Sequence, residues 1–390
     1  MVKKLKLYFL LIFDGDVESG VNKKIFSQVK TLNEMGIDAN LILIGDTSKI
    51  KLAVPYIIKE PITNIESKSL ITRLYKSRKI ANIIGDRIRN IDASDILYIR
   101  YPIFIAFCPI VFFKPFRKCK LIFEFNSLTS KEYLLMHEYF YLFFELFFGM
   151  FIRYQADGGI GVTNEITNYQ RKKIGSRNTS FVTIANGIDV DSIHLRAPPD
   201  SMNDFNFTMI CVASFSPWHG LDRLIHGIAQ YKGKYFIKLH IVGEGSEINN
   251  LKNLCEKKAI INHVIFHGFL SGATLDKLFD VSHIAIGILG TRRQNLSEAS
   301  PLKNREYCSR GIPFISDVRD PDFSSDFPYC LYITPDESII DVERIISFAK
   351  SLYENSYGHQ IQMRNYAKQR LDWSQKIGKL KYFLENDLKR

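Results

Sequence analysis

The sequence predicts an α/β protein with two parallel sheets, on three observations. Strand-like apolar runs alternate with helical patterns in the rhythm of β-α-β units, as in KLYFLLIF, VNKKIFSQVKTLNEMG and ANLILIG. A second series of such units opens at Phe207, after a polar connector containing Pro198 and Pro199. The 390 residues are 46% hydrophobic, which is enough for two buried cores.

The first strand is predicted at the N-terminus, in MVKKLKLYFLLIF. This apolar run is short, and three acidic residues follow it directly without a small-residue cleavage site, so a signal peptide is disfavoured. Gly20 precedes the helix predicted for Val21–Met35, where a phosphate or acceptor could reach the helix N-terminus. The pair Ser19-Gly20 lacks the full G-x-G-x-x-G of a dinucleotide site, which counts against a nicotinamide enzyme.

The strands predicted for the second series end in glycine turns and lead to LSEASPLKNREYCSRGIPF at 296–314. Pro301 suits the first turn of a helix, and Gly311 to Pro313 end that helix before the strand at Phe314. Backbone N–H groups near Ser300 to Lys303 then point out of the helix N-terminus and favour an anion such as a diphosphate. Lys303 adds a full charge. Glu298 in the loop and Glu306 on the helix can each accept hydrogen bonds from neighbouring hydroxyls.

Two glutamates at this separation, followed by Gly-x-Pro, resemble the donor signature of glycosyltransferase family 4. The resemblance implies a GT-B fold: two Rossmann-like domains facing a central cleft, with a C-terminal helix that crosses back to the first domain. It also implies that Glu298 contacts the transferred sugar and Glu306 the ribose, with Lys303 catalytic. We assign donor binding to Ser300, Pro301 and Leu302 as well. Glutamate pairs at this spacing also occur on solvated helices.

Other stretches resemble family features in the expected order. The turn Asn186 to Asp189 resembles the structural N-G-(V/I)-D element. CVASFSPWHGLDRLI resembles the segment that opens the second domain, although Ser214 and His219 stand where a phosphate-binding Arg and Lys are usual. His219 can still donate a hydrogen bond, and Lys303, Arg292 or Arg293 can supply the charge. Gly243 and Gly268 resemble the glycines of the donor loops, and tight strand-to-helix turns would explain them equally.

In the first domain, Phe123 to Ser127 resembles an F-E-x-N loop that faces the acceptor. Glu124 is assigned either a catalytic role or the structural role of holding this loop. Asn126 and Arg100 are placed on the acceptor side, and Gly20 on the donor phosphates.

Three Asp-x-Asp motifs raise the alternative of a metal-dependent transferase. They fall at Asp14-Gly15-Asp16, Asp189-Val190-Asp191 and Asp320-Pro321-Asp322. All three lie in predicted turns, where aspartate is favoured locally. The family resemblance implies no cofactor and no metal, because the helix dipole and basic side chains stabilise the leaving diphosphate.

The net charge of +11 lies mainly in the first half, which has 28 basic against 20 acidic residues up to position 200. The aromatic stretches YPIFIAFCPIVFFKPFRKCK and EYLLMHEYFYLFFELFFGMFIRYQ have the composition of interfacial segments, and a buried core helix is the alternative for the second. Glu138 and Glu145 argue against a membrane-spanning helix there. No nucleic-acid motif accompanies the charge. The scattered cysteines, which lack metal-ligand spacing, favour a reducing cytoplasm. The basic and aromatic stretches favour a peripheral location on the inner membrane face.

The predicted domains are 1–200 for the acceptor, 205–357 for the nucleotide-sugar donor, and a helical segment, 358–390, packing on the first domain. The function implied is a metal-independent, retaining hexosyltransferase that uses a UDP- or GDP-sugar and a lipid-linked oligosaccharide acceptor in bacterial surface polysaccharide synthesis. The leaving phosphate would accept the acceptor proton, and domain closure would exclude water. Two alternatives stay open: a non-catalytic nucleotide-sugar-binding or partner subunit, and a GT-B sugar epimerase.

Overall fold

The computed structural model describes residues 5–13, 15–48, 50, 54–62, 70–101, 112–174, 179–197, 199, 205–355 and 358–388. The chain divides into two compact units. The first consists of Met1–Ala185 with Trp373–Arg390, and the second of Asn186–Asp372.

The first unit is built on a seven-stranded parallel sheet in the order β3-β2-β1-β4-β5-β6-β7. The strands are β1 Lys6–Phe13, β2 Asp38–Gly45, β3 Ile57–Pro61, β4 Ile96–Tyr101, β5 Lys120–Phe125, β6 Gly158–Gly161 and β7 Ser180–Thr183. The helices are α1 Gly20–Glu34, α2 Leu70–Arg89, α3 Thr129–Leu135, α4 Tyr139–Arg153, α5 Asn164–Ile174 and, after the second unit, α12 Trp373–Tyr382. The central strands are buried almost throughout, as expected of a parallel sheet covered on both faces.

The second unit holds a six-stranded parallel sheet in the order β10-β9-β8-β11-β12-β13. The strands are β8 Asn206–Val212, β9 Phe236–Val242, β10 Val264–Gly268, β11 Ile284–Ile286, β12 Phe314–Ser316 and β13 Cys330–Tyr332. The helices are α6 Leu221–Gln230, α7 Ile248–Lys257, α8 Gly272–Asp280, α9 Leu302–Arg310, α10 Val342–Asn355 and α11 His359–Tyr366. Its core has two apolar clusters, formed by buried residues of the strands together with side chains from the flanking helices.

The chain passes between the units at Ala185–Asn186 and again at Asp372–Trp373. The connector after Asn186 packs on the second unit because Arg196 is buried there and donates to the backbone oxygens of Ser282 and Gly311. Within the segment predicted as 358–390, α11 belongs to the second unit, while α12 adds apolar side chains to the core of the first. Among the described residues, no helix combines the length and the apolar character needed to span a bilayer.

Candidate functional site

The candidate donor site lies where the strand order of the second sheet reverses. From β8 the chain builds outward through β9 and β10, then returns to the other side of β8 with β11. Ligands of open parallel sheets bind at such switch points, beyond the carboxyl ends of the strands. The two loops concerned are 213–220 after β8 and 287–301 after β11. They contain His219, Glu298 and the approach to α9.

Helix α9 begins at Leu302, with Pro301 in extended conformation at its N-cap, one position earlier than the predicted first turn. The residue after the helix, Gly311, has φ 72°, a left-handed conformation that ends α9 before β12 as predicted. Within the part of the chain that the structure describes, no side chain caps the N-terminus of α9. Its first backbone N–H groups are therefore available to an anion.

Ser300 is buried just before α9 and anchors the turn at Asn186. Its hydroxyl oxygen accepts a hydrogen bond from the Asn186 backbone N–H at 2.9 Å, and its carbonyl accepts one from the Asn186 side-chain amide at 2.6 Å. The Asn-Gly turn thus fixes the entry to α9. The sequence predicts that Ser300 binds the donor, and in the structure its hydroxyl and carbonyl oxygens both accept hydrogen bonds from Asn186.

Lys303 projects from the first turn of α9 toward the end of β11. Its ammonium donates to the Gly287 carbonyl at 2.8 Å. Desolvation lowers the pKa of Lys303, and the nearby Cys211 and Asp317 oppose that shift. The side chain thus brings a cation to the switch point. Among the described residues this carbonyl is its one hydrogen-bond partner, which leaves the remaining N–H groups able to reach a ligand oxygen.

His219 ends a short helical turn, Pro217–His219, in the loop after β8. Its Nδ1 lies 3.0 Å from the Ser216 backbone nitrogen and 3.3 Å from the Ser216 carbonyl oxygen. The shorter contact, in which the Ser216 N–H donates to Nδ1, requires that Nδ1 carries no proton. Burial, followed by the charge of Lys303, lowers the pKa of His219 well below its usual value. A neutral imidazole of this tautomer has its N–H on Nε2, where it can donate. Ser214, in the same loop, is exposed.

The two glutamates of the signature lie on either side of the α9 N-terminus in sequence. Glu298 is half-buried, and its backbone forms an isolated parallel β-bridge with that of Arg319, in which the Ala299 N–H donates to the Arg319 carbonyl at 3.0 Å. Glu306 lies one turn into α9, where Arg310 Nε donates to its Oε1 at 2.9 Å. Arg310 also pairs with Asp276 at 2.6 Å. Arg310 thus holds Glu306 in one orientation.

The structure gives Arg293 a different role from the predicted donor contact. Its guanidinium pairs with Asp222 at 2.7 Å and with Glu337 at 2.6 Å, and it donates to the Pro217 carbonyl at 2.7 Å. Hydrogen bonds from Glu337 and Asp222 raise its pKa. Two carboxylates thus neutralise Arg293 and join it to the neighbouring loop. We therefore withdraw it as a source of charge for the donor phosphates.

The motif Asp320-Pro321-Asp322 holds a buried arginine. Arg305, which is fully buried in α9, forms ion pairs with Asp320 at 2.7 Å and with Asp322 at 2.5 Å. It also donates to the Pro301 carbonyl at 3.0 Å. In addition, the Asp322 N–H donates to Asp320 at 3.1 Å, the local turn contact predicted for this motif.

The two donor-loop glycines differ in their surroundings. Gly243 has φ 124°, and a Cβ there would lie 2.0 Å from the Ala213 carbonyl oxygen, so close packing of the loop explains this glycine. Gly268 has φ 67°, and a Cβ at this position would meet no described residue beyond its chain neighbours within 4 Å. Its carbonyl accepts from the Gly243 N–H at 2.7 Å. Of these two glycines, Gly243 is closely packed, whereas Gly268 lies beside open space.

Glu124 of the first unit is the centre of a buried network. Lys24 of α1 forms an ion pair with it, Tyr98 donates to it at 2.5 Å, and Asn126 donates to it at 2.8 Å. Burial would raise the pKa of Glu124, but Lys24 and these hydrogen bonds outweigh burial and lower it to about 2. A carboxylate with both oxygens already hydrogen-bonded is a poor general base. Of the two predicted roles, the structure favours the structural one.

The remaining predicted residues of the first unit lie near this network. Asn126 also accepts from Lys24 at 3.0 Å. Arg100 is half-buried on β4, directly opposite Glu124 in the strand register. Gly20 is exposed and begins α1.

Sequence reasoning missed Lys24, Arg305 and Arg310, which position the glutamates and α9. One signal for Lys24 was present: Glu124 interrupts an apolar strand, and a buried carboxylate requires a cation or several donors. Lys24 lies four residues before Gln28 on the face of α1 that packs on the sheet. No comparable local signal distinguishes Arg305 from the other basic residues of its stretch.

Comparison with known proteins supports the predicted family. Residues 200–321 match the family described as glycosyl transferases group 1. No curated protein matches the sequence. Solved structures with similar folds include a sucrose-phosphate synthase from Thermosynechococcus elongatus, with 14% identity, a TM-score of 0.73 and coverage of 98% of this chain and 99% of that one.

Two further similar structures contain nucleotides. Anabaena Alr3699/HepE, in complex with UDP, has 14% identity and a TM-score of 0.61 over 96% of this chain and 99% of that one. The pneumococcal O-GlcNAc transferase GtfA, in complex with UDP and GlcNAc, has 11% identity and a TM-score of 0.62 over 99% and 100%. The match over residues 200–321 confirms the predicted resemblance to the group 1 glycosyltransferases, and the similar solved structures confirm the GT-B fold.

Proposed function

We propose that the protein transfers a hexosyl group from a UDP- or GDP-sugar to an acceptor hydroxyl, with retention of anomeric configuration and without a metal ion. The observation that carries this proposal is the convergence of Lys303, the uncapped α9 N-terminus and His219 at the switch point of the second sheet. These groups offer a cation, backbone donors and a neutral N–H donor. That combination suits the developing charge of a departing diphosphate.

The donor's hydroxyl groups are assigned to the two glutamates. Glu306, oriented by Arg310, accepts from the ribose, and Glu298 accepts from the transferred sugar. Gly268, with open space beside it, lets the nucleobase approach the backbone. The leaving phosphate then takes the proton from the attacking hydroxyl, so no side chain needs to act as nucleophile.

The acceptor is assigned to the first unit. Arg100 and Asn126 are the proposed acceptor contacts, and the network around Glu124 holds Asn126 in place. We propose a lipid-linked acceptor on the cytoplasmic face of a bacterial inner membrane. The basic excess of the first 200 residues supports this assignment, since it suits an anionic lipid surface.

Donor binding tests the proposal. UDP, GDP and their sugars are titrated calorimetrically in EDTA against the intact chain, Glu306→Ala and a control, Glu256→Ala, which removes an exposed carboxylate from α7. We expect one nucleotide series to bind the intact chain and the control equally, and Glu306→Ala at least about tenfold more weakly, since the loss of hydrogen bonds to a charged group costs about 1.5–3 kcal/mol.

Failure of folded protein to bind any nucleotide would overturn the donor site. Product analysis then separates the reaction classes. Sugar transfer to an added acceptor supports the transferase, whereas release of free sugar or its epimer without acceptor indicates the epimerase. Nucleotide-sugar binding without turnover indicates the non-catalytic subunit.

A further inference from the structure

Helix α4 carries a large exposed apolar surface. Nine of the 23 large apolar side chains that are exposed among the described residues lie on this one 15-residue helix. They are Tyr139, Phe140, Tyr141, Phe143, Leu146, Phe147, Phe148, Met150 and Phe151. A buried core helix, the alternative for this stretch, is therefore wrong. Half of the other aromatic stretch, residues 102–111, lies outside the described residues.

The polar residues of α4 face inward. Glu145 and Arg153 form a buried ion pair, and Tyr101 donates to Glu145 at 2.7 Å. Arg153 also donates to Gln170 of α5 at 2.8 Å. Gly149 leaves room for this pair, because a Cβ there would lie 2.6 Å from Arg153 Nη1. The helix is thus fixed to the first unit by polar contacts and by the buried Ile152, with nine of its apolar side chains directed outward.

The exposed surface is larger than an ordinary monomer carries. If each of the nine side chains exposes roughly half of its roughly 200 Å², they expose roughly 900 Å² together. The largest apolar patch of a typical monomer is about 300–600 Å². The surface of α4 therefore requires an occupant.

The geometry of α4 distinguishes a bilayer from a protein partner. Successive helical residues are rotated by about 100°, so the nine side chains cover an arc of roughly 220° around the helix. A protein surface that contacts one side of α4 would leave the rest of this apolar arc in water. Fluid lipid can surround the whole arc, so a bilayer fits α4 better than a protein partner does.

Charge favours an anionic lipid surface. Both charged residues of α4 face inward, so no formal charge lies on the apolar arc. Exposed Arg171, Lys172 and Lys173 follow directly after Gln170, the residue that contacts Arg153. These cations lie beside the C-terminal end of α4, where lipid phosphates can pair with them.

We propose that α4 inserts into the headgroup and upper acyl region of an anionic bilayer, lying along its surface. The helix is about 22 Å long, shorter than the roughly 30 Å hydrocarbon core, which suits an in-plane helix. Tyrosine and phenylalanine are typical of this interfacial depth. The proposal concerns the first unit and does not depend on the donor site.

Vesicle flotation tests the insertion. The intact chain is mixed with phosphatidylcholine vesicles, with and without phosphatidylglycerol, and compared with Phe143→Gln/Phe147→Gln/Phe151→Gln. These three side chains are exposed and lie opposite the buried face, so the variant should fold. A matched control, Phe205→Gln/Ile261→Gln/Ile361→Gln, changes three exposed apolar residues of the second unit.

We expect the intact chain and the control to float with the anionic vesicles, and the α4 variant to bind them at least about tenfold more weakly. Equal binding of the α4 variant, or no flotation of the intact chain, would overturn the proposal. So would a dimer, detected by light scattering, that only the α4 variant abolishes. Nucleotide binding, measured on the same samples, reports the donor site separately.

Discussion

At His219, one backbone hydrogen bond determines which ring nitrogen can donate to a ligand. The Ser216 N–H occupies Nδ1, and burial keeps the ring neutral, so only Nε2 can donate. An Arg or Lys at this position would bring a full charge instead. The full charge near this ring comes from Lys303, whose ammonium donates to a backbone carbonyl.

Lys303 and Arg293 provide a direct comparison between two of the candidate cations. Lys303→Gln should weaken nucleotide-sugar binding by roughly 10- to 100-fold, because a hydrogen bond to a charged group contributes about 1.5–3 kcal/mol. Arg293→Gln should leave binding within about threefold of the intact chain and lower the melting temperature, since it leaves Asp222 and Glu337 without their cation. Calorimetry and thermal denaturation of both variants check this. The reverse ranking in affinity would return the phosphate role to Arg293.

The signature glutamates are predictable at the residue scale, and their partners are not. Spacing and Gly-x-Pro indicate Glu298 and Glu306 because these are local features of the sequence. Arg310 is also local, four residues after Glu306, but its contact with Asp276 depends on the packing of α8 against α9. Lys24 and Glu124 are 100 residues apart and meet only through the sheet.

At the scale of elements, α9 depends on its buried arginine. Arg305 joins the helix to Asp320 and Asp322 beyond β12, and to the turn at Asn186. The same two aspartates that suggest a metal motif in the sequence therefore fix the helix whose N-terminus is proposed to bind the donor. Replacing Asp320 or Asp322 by asparagine should therefore lower the stability of the second unit more than it lowers the catalytic rate of the folded protein.

Arg305→Met should destabilise the second unit by about 3–5 kcal/mol, because it removes the cation that pairs with the buried Asp320 and the half-buried Asp322. Urea denaturation followed by fluorescence measures this change. Mn²⁺ should not restore the lost stability if the pair serves only Arg305. Restoration by Mn²⁺ would instead make Asp320 and Asp322 metal ligands.

The strands and α9 are predictable because apolar runs and Gly-Pro signals are local. The sequence places the start of the second unit later than the structure does, because Pro198 and Pro199 look like a linker. The hydrogen bonds of Asn186 and Arg196, which hold the connector to that unit, span about a hundred residues or more. No local pattern reveals contacts of that range.

At the scale of the whole molecule, buried histidines should make stability depend on pH. Burial, followed by the charge of His267, lowers the pKa of His240 to about 4. An unfolded histidine titrates near 6.5. Between these values the unfolded chain binds a proton that the folded chain does not, so stability falls as the pH falls from about 6.5 toward 4.

Between pH 7.5 and pH 5, His240 alone should cost about 2 kcal/mol of stability. His240→Gln, which keeps a polar partner for His267, should remove much of this dependence, while His219 and His267 retain part of it. Urea denaturation of both proteins at the two pH values gives the comparison. An unchanged pH dependence in His240→Gln would contradict the assignment. Glu124 does not contribute here, because its stabilisation is lost only below about pH 4.5.

The return of α12 to the first unit has a consequence for biosynthesis. Ile377, Leu380, Phe383, Leu384 and Leu388 complete a core whose other members come from the first half of the chain. On the ribosome, residues 1–185 therefore emerge long before the segment that closes their core. The second unit is continuous in sequence from Asn186 to Asp372, so all of its residues are synthesised before α12. We expect it to fold first, with the nascent N-terminal half exposing apolar surface until synthesis passes α12.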